Sequence, residues 1–290
     1  MDIQQIRNAT LKIVYQGKTF LIDPWLCGKG SLGSFEDIPG KPYMIPDPVK
    51  MEIAMPIYGL PRTPQEILDG VDYYIVTHIH PDHIDIAADG TVGQPLDKSI
   101  PVFVQNEQDA AIFEKSGFQD VQVLSKSPLT LDGLTLQHMP ARHGTIVPCG
   151  DAMGVLFQSA DEPTLYVAGD TVWYPEVENT LKTYRPDVVA LNACAAETVE
   201  NGRLIMGDED VACVAKTVPQ SQLLLTHLDN VAHASLTRYT LRSRLMARGV
   251  DHYIMPDDGE WVSVYCVFRY CVGNSPKRFL KAAENRLWLS

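Results

Sequence analysis
The sequence predicts an α/β fold in which β-sheets are covered by helices, and three observations carry that prediction. Residues 11–15 and 20–23 read as a hairpin turning at Gln16-Gly17-Lys18, and residues 129–131 and 134–138 as a second hairpin around the strong turn pair Asp132-Gly133. Strand-length apolar runs at 71–76, 153–158, 165–168, 188–191 and 222–226 alternate with helical stretches at 107–115, after Tyr174, at 208–216 and at 235–248. Closing strands lie near Tyr253 and at 261–265, and hairpins mixed with βα units are the pattern of sheets packed under helices. Finally, 290 residues with 45% hydrophobic and 21% charged side chains suffice to bury a core without disulfide or metal staples. A metal site in such a chain is expected to serve chemistry rather than folding.

The formal net charge of −12, from 36 acidic and 24 basic residues, repels phosphate backbones and sets nucleic acid aside as a partner. Cys27, Cys149, Cys194, Cys213, Cys266 and Cys271 form no C-x-x-C pair and lack the density of a disulfide framework. The opening MDIQQIRNAT has neither a basic nor an apolar leader segment. No run approaches the roughly 20 apolar residues of a membrane span. The expectation is a cytoplasmic protein acting on a small-molecule substrate, without a membrane partner. Self-association into a homo-oligomer is left open. There is no Gly-rich phosphate loop and no G-x-G-x-x-G, so nothing argues for a nucleotide fold.

Residues 28–64 are rich in Gly and Pro, with Tyr43, Met44, Ile45, Met51, Met55, Ile57 and Tyr58 interleaved. A loop this long in a small domain is usually a lid or a binding loop, and its apolar residues imply that it packs against something. The 269–290 tail is comparatively basic (Arg269, Lys277, Arg278, Lys281, Arg286), and a docking helix from about Ser275 is expected there.

Three apolar runs end on metal-ligand residue types. Residues 71–76 lead through Thr77 to His78, residues 165–168 through Gly169 to Asp170, and residues 223–225 through Thr226 to His227. Polar groups at strand ends, where loops gather, are where α/β proteins place their sites. The densest piece is His78-Ile79-His80-Pro81-Asp82-His83. In extended chain His78 and His80 face one side and can approach one ion together. Pro81 favours a turn that throws Asp82 and His83 toward a second position. Four ligand types within six residues exceed what one four-coordinate ion needs once a position is kept open for water, so the spacing argues for two ions.

H-x-H-x-D-H after a strand is the signature of the metallo-β-lactamase-like superfamily, and it stands intact here at 78–83. The chain resembles that family over about residues 8–265. The resemblance implies a four-layer αββα sandwich, with residues 1–268 as the hydrolase domain, 28–64 as its inserted lid or pocket loop, and 269–290 as an extension. It points to His143 in Ala141-Arg-His-Gly144 as the third-motif histidine, in preference to His138 on the hairpin strand. It likewise points to Asp170 in Gly169-Asp-Thr171 as the bridging aspartate and to His227 as the last histidine. Ile22-Asp-Pro-Trp-Leu26, Leu204-Ile-Met-Gly-Asp-Glu-Asp-Val211 and Thr226-His-Leu-Asp-Asn230, with His233 and Arg238 after it, are similar to the metal-dependent hydrolases that resemble the ascorbate-6-phosphate lactonase.

The arrangement so implied puts one divalent ion on His78, His80 and His143 and a second on Asp82, His83 and His227, with Asp170 between them. A water held between two such ions loses a proton near neutral pH and can attack a small ester, lactone or phosphodiester. Asp82 would orient it. Asp229 and His233 are the candidates for protonating the leaving group, and His233 is carried with Asp82 as catalytic. Cys194 follows a strand end and is expected to be a small buried hydrophobe. Imidazole with carboxylate suits zinc first, manganese second, and also iron. The competing activities are a di-iron redox protein, which in this superfamily usually carries an additional flavodoxin-like domain, and a nuclease, which the negative charge disfavours.

Overall fold
The computed structural model describes residues 1–38, 44–268 and 278–283. The chain opens as three antiparallel strands, β1 (Asp2–Arg7), β2 (Thr10–Tyr15) and β3 (Lys18–Ile22), then runs through the 28–64 segment into helix α1 (Pro64–Leu68). Three strands in parallel register follow, β4 (Tyr73–Ile75), β5 (Val102–Val104) and β6 (Val121–Val123), with α2 (Glu107–Lys115) before the last. A second antiparallel meander comprises β7 (Leu129–Leu131), β8 (Leu134–Pro140), β9 (Met153–Ser159) and β10 (Leu165–Val167). From there the chain winds in βα units: α3 (Pro175–Tyr184), β11 (Val188–Asn192), the small pair β12 (Glu197–Thr198) and β13 (Gly202–Arg203), then α4 (Asp208–Thr217). β14 (Gln222–Thr226), α5 (Arg238–Ala247) and β15 (Tyr253–Ile254) complete the second sheet, and β16 (Trp261–Phe268) and β17 (Arg278–Ala283) return to the first.

Among the described residues the first sheet has the order β17-β16-β1-β2-β3-β4-β5-β6 and the second β15-β14-β11-β10-β9-β8-β7. Side chains alternate across each strand, and that alternation sorts the apolar residues into three layers. Ile13, Phe20, Ile75 and Phe103 of the first sheet meet Leu136, Phe157, Val188 and Leu224 of the second. On the outer face of the first sheet, Leu21, Tyr74 and Val102 pack with Ile67 of α1 and Phe113 of α2. On the outer face of the second, Tyr166, Val189, Leu223 and Leu225 pack with Val177, Leu181, Val211, Leu241 and Leu245 of α3, α4 and α5. Three apolar interfaces separate four layers, helix–sheet–sheet–helix, as the αββα expectation requires.

β1 and β3 are parallel because each is antiparallel to β2, and β8 and β10 are parallel because each is antiparallel to β9. β4 continues the direction of β3, and β11 and β14 that of β10. Seven strands therefore deliver the residues after their C-terminal ends to one edge of the sandwich. This is the edge where open α/β sheets place ligands.

Two expectations need correction. Where the tail pattern predicts a helix from about Ser275, Arg278–Ala283 form β17, paired antiparallel with β16. The open edge of β16 offers a row of backbone hydrogen bonds, and the modest helical preference of six residues does not compete with that. The rest of that extension, residues 269–277 and 284–290, lies outside the described residues. The 28–64 segment is also less formless than its composition suggests. It contains single 3-10 turns at Phe35–Asp37 and Lys50–Glu52, and it buries Phe35, Ile45, Met51 and Met55 against the helix-side core. Met44 and Tyr58 are exposed, and Tyr43 lies outside the described residues. No helix among the described residues is long and apolar enough to cross a membrane.

Candidate metal centre
At the shared strand edge the structure brings together seven side chains predicted from the sequence, in three overlapping groups: His78, His80 and His143; His78, His83 and Asp170; and Asp82, His83 and His227. β4 delivers His78 to His83, β8 delivers His143, β10 delivers Asp170, and β14 delivers His227. His78 Nε2 lies 2.9 Å from His80 Nδ1, which lies 3.2 Å from His143 Nε2. In the second group His83 Nε2 is 3.2 Å from His227 Nε2, which is 3.3 Å from Asp82 Oδ2. Asp170 sits between the groups, its Oδ2 at 3.2 Å from His83 Nε2, 3.7 Å from His143 Nε2 and 3.8 Å from His78 Nε2, with Oδ1 at 3.9 Å from His227 Nε2.

Hydrogen bonds behind the rings fix which nitrogen carries the proton. Thr77 Oγ1 donates to Asp23 Oδ2 at 2.8 Å, so at 3.1 Å it accepts from His78 Nδ1. His83 Nδ1 donates to the same Asp23 oxygen at 2.8 Å, and His143 Nδ1 donates to the Leu204 carbonyl at 3.1 Å. In their neutral forms all three imidazoles thus turn Nε2 lone pairs toward the centre of the cluster. Converging lone pairs repel one another unless a cation lies between them. Two imidazole nitrogens on a tetrahedral zinc, each at about 2.0–2.1 Å, lie about 3.4 Å apart, a few tenths of an ångström more than seen here. The donor set therefore fits divalent ions.

Electrostatics point the same way. Burial opposes protonation of His83, but the carboxylates of Asp170, Asp23 and Asp82 outweigh it and lift the ring to about 10. His227 is likewise held well above its usual value: burial opposes this, while Asp170, Cys194 and Asp82 prevail. Burial pushes His78 well down and takes His80 to about 4, with His143 adding to the effect on His80. Burial works against ionisation of Asp82 and Asp170, yet the neighbouring His83 and His227 hold both far below the usual carboxylate range. Without metal, two imidazolium rings balance buried carboxylates, a task that divalent cations would take over.

Backbone conformation aims several of these groups. Asn8, Asp23 and His227, each just past a strand end, adopt the left-handed region with φ of 52°, 46° and 60°. Gly169 has φ 65°, and a Cβ there would run into the Met153 carbonyl, so only glycine lets the chain turn to present Asp170.

Several supporting residues have no motif of their own. Asp23 also accepts from the Thr77 backbone N–H at 2.7 Å and so orients both His78 and His83. Asn192 Nδ2 donates to Asp170 Oδ1 at 2.5 Å. Asn8 Nδ2 donates to the Asp82 carbonyl at 3.0 Å and lies 3.3 Å from His227 Nε2. Cys194 is buried behind the cluster, its Sγ 3.6 Å from His227 Nδ1. Asp229 is engaged elsewhere: its carboxylate accepts from the Arg238 backbone N–H at 3.0 Å and pairs with Arg238 Nη1 at 2.8 Å. His138 stays on β8, opposite Val155 of β9 and outside the cluster.

A cavity of about 80 Å³ opens onto the cluster, lined by Phe35, His80, Pro81, Asp82, His143, Cys149, Asp170, Thr198, Leu204 and His233. Phe35 brings the 28–64 segment to this wall and meets His233 edge to face, with ring centroids 5.4 Å apart. His233 Nδ1 is buried without a hydrogen-bond partner among the described residues, and burial pushes the ring down to about 4, so it is neutral at pH 7.

The fold and site can now be set beside known proteins. The family model described as β-lactamase superfamily domain matches residues 19–228. The chain is 37% identical over 265 residues to the UPF0173 protein YddR of Bacillus subtilis, covering 90% of this chain and 98% of that protein. Among solved structures, an isothiocyanate hydrolase from Delia radicum gut bacteria superposes with a TM-score of 0.80 at 34% identity, covering 90% of this chain and 98% of that one. A possible metal-dependent hydrolase from Veillonella parvula has the same TM-score and coverage at 33% identity. The chain belongs to the β-lactamase superfamily and, within it, to the UPF0173 metal-dependent hydrolases.

Proposed function
We propose that the protein is a dinuclear hydrolase acting on a small uncharged electrophile, with isothiocyanates first in order and small esters or lactones next. The observation that carries this reading is the cavity over the seven-residue cluster. Among the described residues its lining contains Phe35, Pro81, Leu204, Cys149 and Thr198 but no Lys or Arg. In metal-loaded protein the ions would receive a phosphodiester's charge, but no cationic side chain among the described lining residues adds to that. An uncharged, partly apolar substrate needs no such side chain. The similar isothiocyanate hydrolase supports the specific electrophile.

His78, His80 and His143 would hold one ion and Asp82, His83 and His227 the other, with Asp170 shared; zinc is the first choice, with manganese and iron next. When bound, these ions would supply Lewis-acid polarisation and a water acidified to near neutral pH. The chain's own residues do the rest. Asp82 lines the cavity and can accept a proton or hydrogen bond from a water entering it. Neutral His233 presents one donor and one acceptor nitrogen, and the donor can serve the heteroatom that leaves. Phe35 and Leu204 cover the site and exclude bulk water.

For an isothiocyanate the balanced reaction adds one water to the central carbon and releases the amine and carbonyl sulfide. The test loads the purified protein with zinc, manganese or iron and follows amine and carbonyl sulfide release from methyl and phenethyl isothiocyanate. Lactones, esters and phosphodiesters run in parallel. Turnover of phosphodiesters alone would overturn the reading.

A further inference from the structure
A second, larger cavity of about 690 Å³ lies against the first. Trp25, Leu26, Leu32, Ile86, Ala87 and Pro95 line it, and Pro81 lines both cavities. The groove's backbone is set by Asp85, whose carboxylate accepts from the Leu26 and Cys27 N–H groups, each at 3.0 Å. The buried Arg7 braces the same edge, donating to the Trp25 carbonyl at 2.8 Å and the Cys27 carbonyl at 3.0 Å while its guanidinium lies 4.7 Å from the Trp25 ring centroid.

We propose that this groove is the subsite for an uncharged apolar substituent of the substrate, whose reactive group enters the metal cavity across Pro81. The proposal rests on the hydrolase reading above, and size is its first support. The metal cavity, at about 80 Å³, is far below the size of small-molecule sites, which suits a reactive group but not a whole organic substrate. The groove falls in the roughly 300–1,000 Å³ range of small-molecule sites. Continuity is the second support. Pro81 is the exposed tip of the turn carrying His80 and Asp82, and the 28–64 segment reaches both spaces, with Ser31 and Leu32 in the groove and Phe35 at the metals. Charge is the third. Among the described residues no Lys or Arg lines the groove, and the one acidic side chain there, Asp85, already has both oxygens engaged by backbone N–H groups. An anionic tail would find no partner there, whereas an alkyl or aryl group would find Trp25, Leu32 and Ile86.

Ile86 is 41% exposed and is not among the predicted ligands, which makes it a suitable position to alter. Ile86→Glu, which puts a charge on the apolar wall, and Ala87→Trp, which fills the groove, are compared with the unaltered protein. With metal-loaded protein, the KM for phenethyl isothiocyanate should rise at least about tenfold in both variants, while methyl isothiocyanate changes less than about twofold. A second readout needs no turnover. Toluene is titrated into the protein and followed by the indole N–H resonance of Trp25, identified with Trp25→Phe. Saturable shifts that both variants weaken support the subsite. Shifts that neither variant alters, or equal effects on short and long substrates, overturn it. If no isothiocyanate is hydrolysed but toluene binding behaves as described, the functional reading fails and the subsite stands.

Discussion

Replacing Asp23 by Asn probes a part of the site whose role the sequence did not reveal. Asn keeps the size of the side chain and tolerates the left-handed backbone at φ 46°, so the chain path need not change. The chemistry does change. Asp23 accepts three hydrogen bonds, from the Thr77 N–H, the Thr77 hydroxyl and His83 Nδ1, at 2.7, 2.8 and 2.8 Å. An amide has one oxygen, and whichever way it is turned, its NH₂ group faces at least one of these donors. Turned one way, the amide takes the acceptor from His83 Nδ1 and the Thr77 hydroxyl; turned the other, it takes it from the Thr77 N–H that precedes His78. Removing such a support costs about 10–100-fold in metal affinity, or about 1.4–2.8 kcal/mol. Chelator competition with zinc measures the affinity, and circular dichroism checks that the fold is kept. Asp229→Asn serves as the control, because Asp229 is tied to Arg238 and outside the cluster. Affinity within about twofold of the unaltered protein in a folded Asp23→Asn variant would refute the orienting role.

Three further outcomes are expected. His143→Ala should lower metal content while His138→Ala leaves it unchanged, and the reverse would show that the histidine on β8 is the ligand. Gly169→Ala, which forces a side chain against the Met153 carbonyl and into a left-handed conformation, should destabilise the protein by about 2 kcal/mol or more and lower metal content, as read by thermal melts and elemental analysis. In metal-free protein, His80 and His233 titrate at about 4 against the usual 6.5, so the unfolded chain takes up those protons first. Stability is then lost as pH falls from 6.5 toward 4, and His233→Gln should flatten that part of the melting profile. An unchanged profile would remove His233 from the account. His83 is raised instead, to about 10, so stability it contributes is full below 6.5 and fades as pH climbs toward 10, and His227 is shifted in the same direction.

The parts of the site legible in the sequence are those in which ligands crowd together or end an apolar run. His78 to His83 announce themselves because strand and turn geometry place all four ligands locally. Asp170 and His227 each stand just beyond an apolar run, whereas His143 is legible through the family resemblance. Asp23 was legible only as part of Ile22-Asp-Pro, because its role arises from the parallel pairing of β3 with β4, which sets it beside Thr77. β1 was hidden by its own polarity. Gln5 and Arg7 break the expected alternation, yet both are fully buried, with Gln5 donating to the Asn8 carbonyl and Arg7 to carbonyls of the lid's root. β5 and β6 are three residues each, too short for a periodic signal. Phe35 reached the cavity wall through a loop whose composition does not encode a path.

The central claim is that the seven converging side chains form one site for two ions. Elemental analysis after zinc saturation and removal of excess metal tests it most directly, with Asp170→Ala measured alongside. The account predicts about two ions per chain and loss of metal from the variant. One ion or none at saturation, or an Asp170→Ala protein that keeps both, would contradict it.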